Sequence, residues 1–395
     1  MTARPPLALD LDLLAPMLSD THRELASELE GSVERTIARL PAAEDDASGR
    51  RQAREILARL GGEGWLAYAV PPEHGGAERA AGTLSCCLIR ETLAAASPLA
   101  DAVFALQCLG SMPLALAGSE ELRARWLPAT ATGAAMAAFA MTEAEAGSDV
   151  GAISTRAVRE GGEYVLDGRK WLISNAGIAD YYVVFASTDT QAGKRGLSAF
   201  LVPAETSGIE LAAAQVLSAP HPLGEVALDG CRIPVAHRLG EEGDGFRLGM
   251  RTLDRLRPTV AAAACGMAAR ALEEARRHAA ERRQFGRPLG EFQLIQAKLA
   301  DMATELTAAR LLTYRAAWES ERGGEHVTLR AAMAKLHATE AAQRIVDAAV
   351  QILGGRGVLA DSSVDHLYRS VRALRIYEGT SEIQQLVIAR ELARA

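Results

Sequence analysis

Several common chemical signatures are missing from this 395-residue chain: it has no CxxC pair, no GxGxxG opening a strand-to-helix unit and no phosphate-binding P-loop. A conventional dinucleotide site and a cysteine-rich metal site are therefore not supported. The five cysteines, Cys86, Cys87, Cys108, Cys231 and Cys265, are odd in number and have no histidine cluster beside them, so a reduced, cytoplasmic setting is expected. Eight scattered histidines form neither a metal set nor a Ser/His/Asp constellation. Met1 to Asp20 has no cationic segment leading into an apolar run, so neither secretion nor lipid anchoring is expected. The most apolar stretch, residues 93–118, is broken by Pro98, Asp101 and Pro113 and reads as core helices and turns, not as a membrane span. A net charge of -7 gives no sign of a nucleic-acid or anionic-membrane partner.

What the chain does have is 49% hydrophobic residues, enough for two or three domains with a large core. The periodicity divides it into three segments. Residues 1–135 read as helical, with candidate helices at 23–40, 51–60, 82–96, 98–109 and 120–127. Residues 136–242 read as β: a hairpin folds Tyr164-Val165-Leu166 onto 170–174 through an Asp167-Gly168 turn, and strands follow at 181–186, 197–202, 209–213 and 224–229. Short strands with hairpin-length links predict antiparallel pairing. Residues 243–395 read as long helices at 246–282, 292–322, 327–353 and 381–394, stopped by Gly323-Gly324 and by Gly354-Gly355-Arg356-Gly357. The fold class expected is α+β: a helical N-terminal domain, a middle antiparallel β domain and a C-terminal four-helix bundle.

Four stretches offer chemistry, each with a plainer alternative. In Ile376-Tyr377-Glu378-Gly379-Thr380-Ser381-Glu382-Ile383, a carboxylate stands beside a glycine hinge at the mouth of the last helix. Glu378 reads either as a base aimed at a cavity or, like Glu382, as a helix-end carboxylate favoured by the macrodipole. Phe139-Ala140-Met141-Thr142-Glu143-Ala144-Glu145-Ala146-Gly147-Ser148-Asp149 reads as a polar ligand edge or a domain-joining turn. Arg282-Arg283-Gln284-Phe285-Gly286, followed by Phe292-Gln293, reads as a phosphate and ring contact or a basic surface loop. Gln351 with Gly354-Gly355 reads as a place of close backbone approach or a helix cap.

Taken together with Leu253-Asp254-Arg255-Leu256-Arg257, and in this order, these stretches make the chain resemble the acyl-CoA dehydrogenase family over nearly its full length. The resemblance implies FAD bound between the β domain and the C-terminal bundle, with a neighbouring subunit completing the site. It places Phe139, Met141 and Thr142 at the flavin ring, Ser148 near the flavin and CoA phosphates, and Leu172 and Ser174 beside the ring. Arg282, Phe285, Gln351 and Gly355 are implied to reach the partner subunit's FAD, and Thr380 and Glu382 to lie on its adenosine side. Asp254, Arg257, Tyr377 and Gly379 are implied to contact substrate, together with Ser148. Glu378 takes the place of the family's general base; an alternative arrangement puts the base near position 256, where Leu256 cannot accept a proton. Removing an α-proton calls for a base in a water-poor site and for donors to the thioester oxygen.

The activity implied is α,β-dehydrogenation of an acyl thioester, acyl-CoA first and an acyl-carrier-protein ester of specialised biosynthesis as the alternative, with electrons passing to an electron-transfer flavoprotein. An oxygen-using oxidase and an inactive thioester-binding scaffold are the other classes. A homotetramer is implied, with a dimer as fallback. Departures from the family pattern fall at Leu172, where an aromatic residue is usual, with Trp171 one place earlier; at Ala144, Val358 and Ser370; and at His221 and Leu223, where hydroxyls are frequent. A regular strand points Trp171 away from the face of Leu172, and only a bulge restores the contact.

Overall fold

The computed structural model describes residues 9–79 and 82–394; the first eight residues, part of the stretch read above for a targeting signal, lie outside the described residues. Helices α1 (Leu11–Leu14), α2 (Asp20–Thr36), α3 (Asp46–Gly62), α4 (Thr83–Ala96), α5 (Pro98–Ala117) and α6 (Glu120–Thr132) come first. Strands β1 (Ala137–Ala140), β2 (Arg156–Glu160), β3 (Glu163–Ser174), β4 (Tyr181–Ser187), β5 (Leu197–Pro203), β6 (Ile209–Ala214), β7 (Leu223–Pro234) and β8 (Arg238–Leu239) follow. Then come α7 (Gly245–Glu281), a small ribbon of β9 (Arg283–Gln284) and β10 (Arg287–Pro288), α8 (Gln293–Glu321), α9 (Val327–Leu353), α10 (Ser363–Leu374) and α11 (Ser381–Leu392). Contacts gather the chain into two compact units. One comprises Met1–Leu40, Gly82–Asp101 and Asp254–Ala395, the other Pro41–Ala81 and Ala102–Leu253.

The core of the first unit is built largely from alanine. Ala261, Ala264, Ala268, Ala271 and Ala275 of α7 meet Ala334, Ala338, Ala341 and Ala342 of α9 in one buried cluster, reinforced by Met302, Ile345 and Leu367. Small side chains favour helix formation and let helix axes approach closely. The C-terminal bundle has three long helices and two short ones, because α10 adds an element that the glycine-rich turn before it obscured. Its signature was nonetheless present: Val364, Leu367, Val371 and Leu374 are buried at helical spacing.

The second unit holds an eight-stranded sheet in the order β6-β7-β3-β2-β4-β5-β8, with β1 alongside β4. Tyr164, Leu166, Ile173, Val184, Phe200 and Val226 fill one side of it. Two expectations need correction. The hairpin at Asp167-Gly168 does not form, and β3 runs unbroken through it from Glu163 to Ser174. The positive φ of Gly168, 153°, serves a bulge against β7 instead, where a Cβ would stand 2.6 Å from Thr155. The reversal falls one link earlier, where β2 and β3 pair antiparallel across Gly161-Gly162. The sheet is also mixed, since β1 and β2 each pair with β4 in parallel. Neither enters β4 through a hairpin, so no tight turn imposes the antiparallel sense.

Pro113 and Pro128 do not end their helices, and α5 and α6 continue to Ala117 and Thr132. By length and composition α5 alone among the described residues passes for a membrane-crossing helix, with 56% of its apolar window buried inside the protein. It carries Asp101 and Gln107, both buried and both hydrogen-bonded internally, the latter to the backbone of Thr130, Ala135 and Ala137.

Close packing in the first unit makes one position intolerant. A Cβ on Gly266 of α7 would stand 2.0 Å from the Glu91 carbonyl oxygen of α4. Gly266→Ala is expected to destabilise the protein by about 1–3 kcal/mol, measured by chemical denaturation; an unchanged midpoint would refute the close approach.

Candidate active site

The loop between α10 and α11 holds its carboxylate by backbone strain. Glu378 has φ 54° and Gly379 φ 95°, two successive left-handed residues, so the hinge expected at the glycine includes the glutamate itself. For a side-chain-bearing residue this costs on the order of 1–3 kcal/mol and persists only where surrounding contacts enforce it. Those contacts are visible. Arg257 Nε and Gln384 Nε2 each donate to the Glu378 carbonyl at 3.3 Å. Lys335 Nζ donates to the Gly379 carbonyl at 2.7 Å, and Gln384 Nε2 donates to it at 3.0 Å. Thr380 caps α11, its hydroxyl accepting from the Ile383 N–H at 3.3 Å.

The carboxylate so placed has a sealed oxygen, Oε2, with no hydrogen-bond partner. Burial raises the pKa of Glu378 above the ordinary 4.5, although Arg90, Lys335 and Arg257 pull it down; Asp101 pushes with burial. A desolvated, unpartnered and elevated carboxylate is what proton abstraction requires. Glu382, by contrast, is exposed at the first turn of α11, held low by its own N–H and by Thr380. The helix-end role belongs to Glu382, not to Glu378.

The cations around the base are themselves anchored. Arg257 pairs with Asp254 at 2.5 Å, and Thr328 donates to the same carboxylate at 3.0 Å. Lys335 is fully buried on α9, and desolvation draws its pKa down to about 8 despite the nearby carboxylates. Arg90 on α4 pairs with Asp101, and its charge acts on Tyr377 and on Glu378. Tyr377, Gly379, Asp254 and Arg257 thus gather around Glu378, whereas Leu256 is buried apolar packing. Arg90, Asp101 and Lys335 were missed from sequence. The signal was available, since each interrupts an otherwise apolar or alanine-rich helix face.

In the second unit a different wall is assembled. Glu143 is buried and accepts from Lys170 Nζ at 2.7 Å, from the Ser154 N–H and hydroxyl, both at 2.7 Å, and from the Thr155 N–H and hydroxyl at 3.0 and 2.5 Å. Burial would raise this carboxyl, but Lys170 and the hydroxyl donors outweigh it and hold it at about 2. Lys170 also donates to the Met141 carbonyl at 3.1 Å. This buried post fixes the segment around Met141 and Thr142, whose carbonyl accepts from the Trp171 N–H at 2.8 Å. Phe139 is half-buried against Phe185, at 4.9 Å between rings.

The bulge absent from the sequence pattern is present. Register shifts between Lys170 and Ile173, Leu172 takes φ 55°, and Trp171 and Leu172 are both exposed in succession. Two neighbouring side chains therefore leave the same strand together, which regular alternation forbids. Gln215 Oε1 accepts from the Leu172 N–H at 2.9 Å. Ser174, two residues on, shares a hydrogen bond of 2.8 Å with His221 Nε2. Burial, aided by Arg50, drops the His221 pKa to about 4, so its ring is neutral at pH 7.

The remaining expected contacts lie apart from both clusters. Ser148, Arg282, Gln351 and Gly355 are exposed, as is Phe285 at 93% with φ 50°. Arg282 and Arg356 both lower the pKa of His278, behind the larger effect of its burial, while Glu281 opposes them. Each within its own unit, the exposed arginines, the strained Leu172 bulge and the unpartnered Glu378 oxygen are chemically suited to a phosphate, a flat ring and a substrate proton.

Comparison with known proteins accounts for this combination. Sequence models of the acyl-CoA dehydrogenase N-terminal, middle and C-terminal domains match residues 19–134, 138–231 and 243–393. A cyclohexane-1-carbonyl-CoA dehydrogenase of Geobacter metallireducens is 40% identical, covering 89% of this chain and 92% of the relative. The butyryl-CoA dehydrogenase structure from Megasphaera elsdenii superposes with a TM-score of 0.89 at 32% identity, over 95% of this chain and 99% of that one. A prolyl acyl carrier protein oxidase gives 0.87 at 29% identity, over 95% and 99%. The class defined is a flavoprotein oxidoreductase whose cofactor is FAD. Within it, the chain belongs to the acyl-CoA dehydrogenase family.

The Glu143 post supplies a test of the wall in the second unit. Because its carboxyl is depressed from 4.5 to about 2, its stabilisation is present above pH 4.5 and lost as pH falls toward 2. Glu143→Gln is expected to flatten that acid-side loss in thermal melts. Lys170→Met, which leaves a buried carboxylate unpaired, is expected to lose about 3–5 kcal/mol at pH 7. Wild-type stability in Lys170→Met would contradict the assignment.

Proposed function

We propose that the protein removes the α-proton and the β-hydride of an acyl thioester, giving a trans-2-enoyl thioester, with acyl-CoA as the substrate handle. The observation that carries this reading is the buried, partnerless Oε2 of Glu378 on a strained backbone. FAD, when bound, supplies the hydride acceptor that no side chain provides. Glu378 takes the α-proton, and its backbone N–H donates to the thioester oxygen as negative charge develops there. Tyr377 lines the acyl site, and Asp254 and Arg257 orient the thioester arm. Met141, Thr142, Leu172 and Ser174 bound the ring, with Phe139 behind them. Ser148 serves the phosphates, and Thr380 and Glu382 lie on the adenosine side. Arg282, Phe285, Gln351 and Gly355, all exposed on one chain, serve the cofactor of a neighbouring subunit in a homotetramer. Electrons leave to an electron-transfer flavoprotein, in the cytoplasm.

An acyl-carrier-protein ester is the second reading, supported by the likeness to the prolyl carrier-protein oxidase and by the departure at His221 and Leu223. Matched CoA and carrier-bound esters separate the two: strong preference for the carrier form would displace the CoA assignment.

Anaerobic flavin bleaching by a panel of acyl thioesters tests the base. Glu378→Gln is expected to bind thioester but to bleach roughly 10²–10⁴-fold more slowly. Since the carboxylate must be ionised, wild-type bleaching is expected to fall on the acid side with a midpoint above 4.5. Undiminished bleaching in Glu378→Gln would defeat the proposal.

A further inference from the structure

We infer that Asp101 is a positioning residue for the base: by clamping the Arg90 guanidinium it keeps that cation from pairing with Glu378 and leaves the carboxylate free to accept a proton. The inference rests on the reading of Glu378 as the base. Its ground is the way Arg90 is held. Arg90 and Asp101 are each 2% exposed and meet in a two-pronged pair, Nε to Oδ1 at 2.7 Å and Nη2 to Oδ2 at 3.0 Å. Nη1 donates to Thr259 Oγ1 at 2.9 Å, and the Arg90 charge acts on both the Tyr377 phenol and the Glu378 carboxylate. A guanidinium has five N–H groups; three are engaged here, two of them by Asp101.

Tyr377 is the chain neighbour of Glu378, whose Oε2 has no partner. Freed of Asp101, Arg90 would carry two additional unsatisfied donors and an uncompensated charge acting on that carboxylate. Forked guanidinium–carboxylate pairing is strongly favoured in a dry site. The other groups facing Glu378 are already committed. Arg257 is held by Asp254 and the Glu378 carbonyl, and Lys335 by the Gly379 carbonyl. Glu340 pairs with Arg375 and accepts from Ser381, and Glu382 lies exposed on α11. Arg90 is therefore the cation whose commitment depends on one buried carboxylate from another helix. Arg90 and Asp101 act on Glu378 in opposite senses, Arg90 lowering its pKa more strongly than Asp101 raises it.

The test reads Glu378 ionisation without any substrate. Full-length, FAD-loaded protein carrying ¹³C-carboxyl glutamate is titrated by NMR, the Glu378 signal being identified by its loss in Glu378→Gln. Asp101→Asn is expected to lower the midpoint by about one pH unit or more, and Arg90→Met to raise it. Arg90→Met/Asp101→Asn is expected to abolish the fall and leave the midpoint at or above that of wild type. An unmoved midpoint in Asp101→Asn, or a double variant whose midpoint is no higher than that of Asp101→Asn, would overturn the inference. Should Asp101→Asn fail to fold by circular dichroism, Arg90→Met decides: a raised midpoint supports the clamp and an unchanged one overturns it. These shifts are independent of flavin bleaching, so loss of the base role in Glu378→Gln kinetics would sink the functional reading while leaving the clamp to be judged on its own.

Discussion

The loop before α11 is organised around one unsatisfied atom. Glu378 Oε2 is sealed from water without a partner, and it is the carboxylate oxygen of the residue that the loop holds in a left-handed conformation. Such an atom is costly, and a fold that retains it must hold it in place by other means. Two left-handed residues, an amide that reaches two successive carbonyls, and three cations from α4, α7 and α9 do so. Each cation has its own anchor, so the positive charge that orders the loop does not neutralise the carboxylate. Burial then prevails over attraction, and the base stays elevated.

The second unit follows the opposite logic. Glu143 is buried, yet it is surrounded by five donors and its pKa is held at about 2. It is a structural post. Its effect is to fix the Met141–Thr142 backbone against the Trp171–Leu172 bulge. Two buried glutamates in one chain thus have different tasks, set by whether the fold supplies hydrogen-bond donors to the carboxylate or withholds them.

Much of this was legible in the sequence, and the failures have physical causes. The helix–strand–helix order followed from periodicity, and the family from five ordered motifs, because both are local patterns. Glu378 was legible as a position, but its strain was not, since the sequence pointed to Gly379 as the hinge. Asp167-Gly168 was misread because the positive φ that makes a tight turn also makes a bulge, and only the partner strand β7 decides between them. The Leu172 bulge was invisible for the same reason. Arg90, Asp101 and Lys335 are far apart in sequence and become a set only when α4, α5 and α9 converge on one loop.

The central claim is that Glu378 takes a proton from the carbon next to a thioester. It is tested most directly with 3-thiabutyryl-CoA, in which sulfur replaces the β-carbon, so that proton removal proceeds without hydride loss. FAD-loaded protein in D₂O should exchange the α-hydrogens of this ester for deuterium, followed by NMR, and Glu378→Gln should leave them at the rate seen without protein. Equal exchange by the wild type and Glu378→Gln would contradict the account.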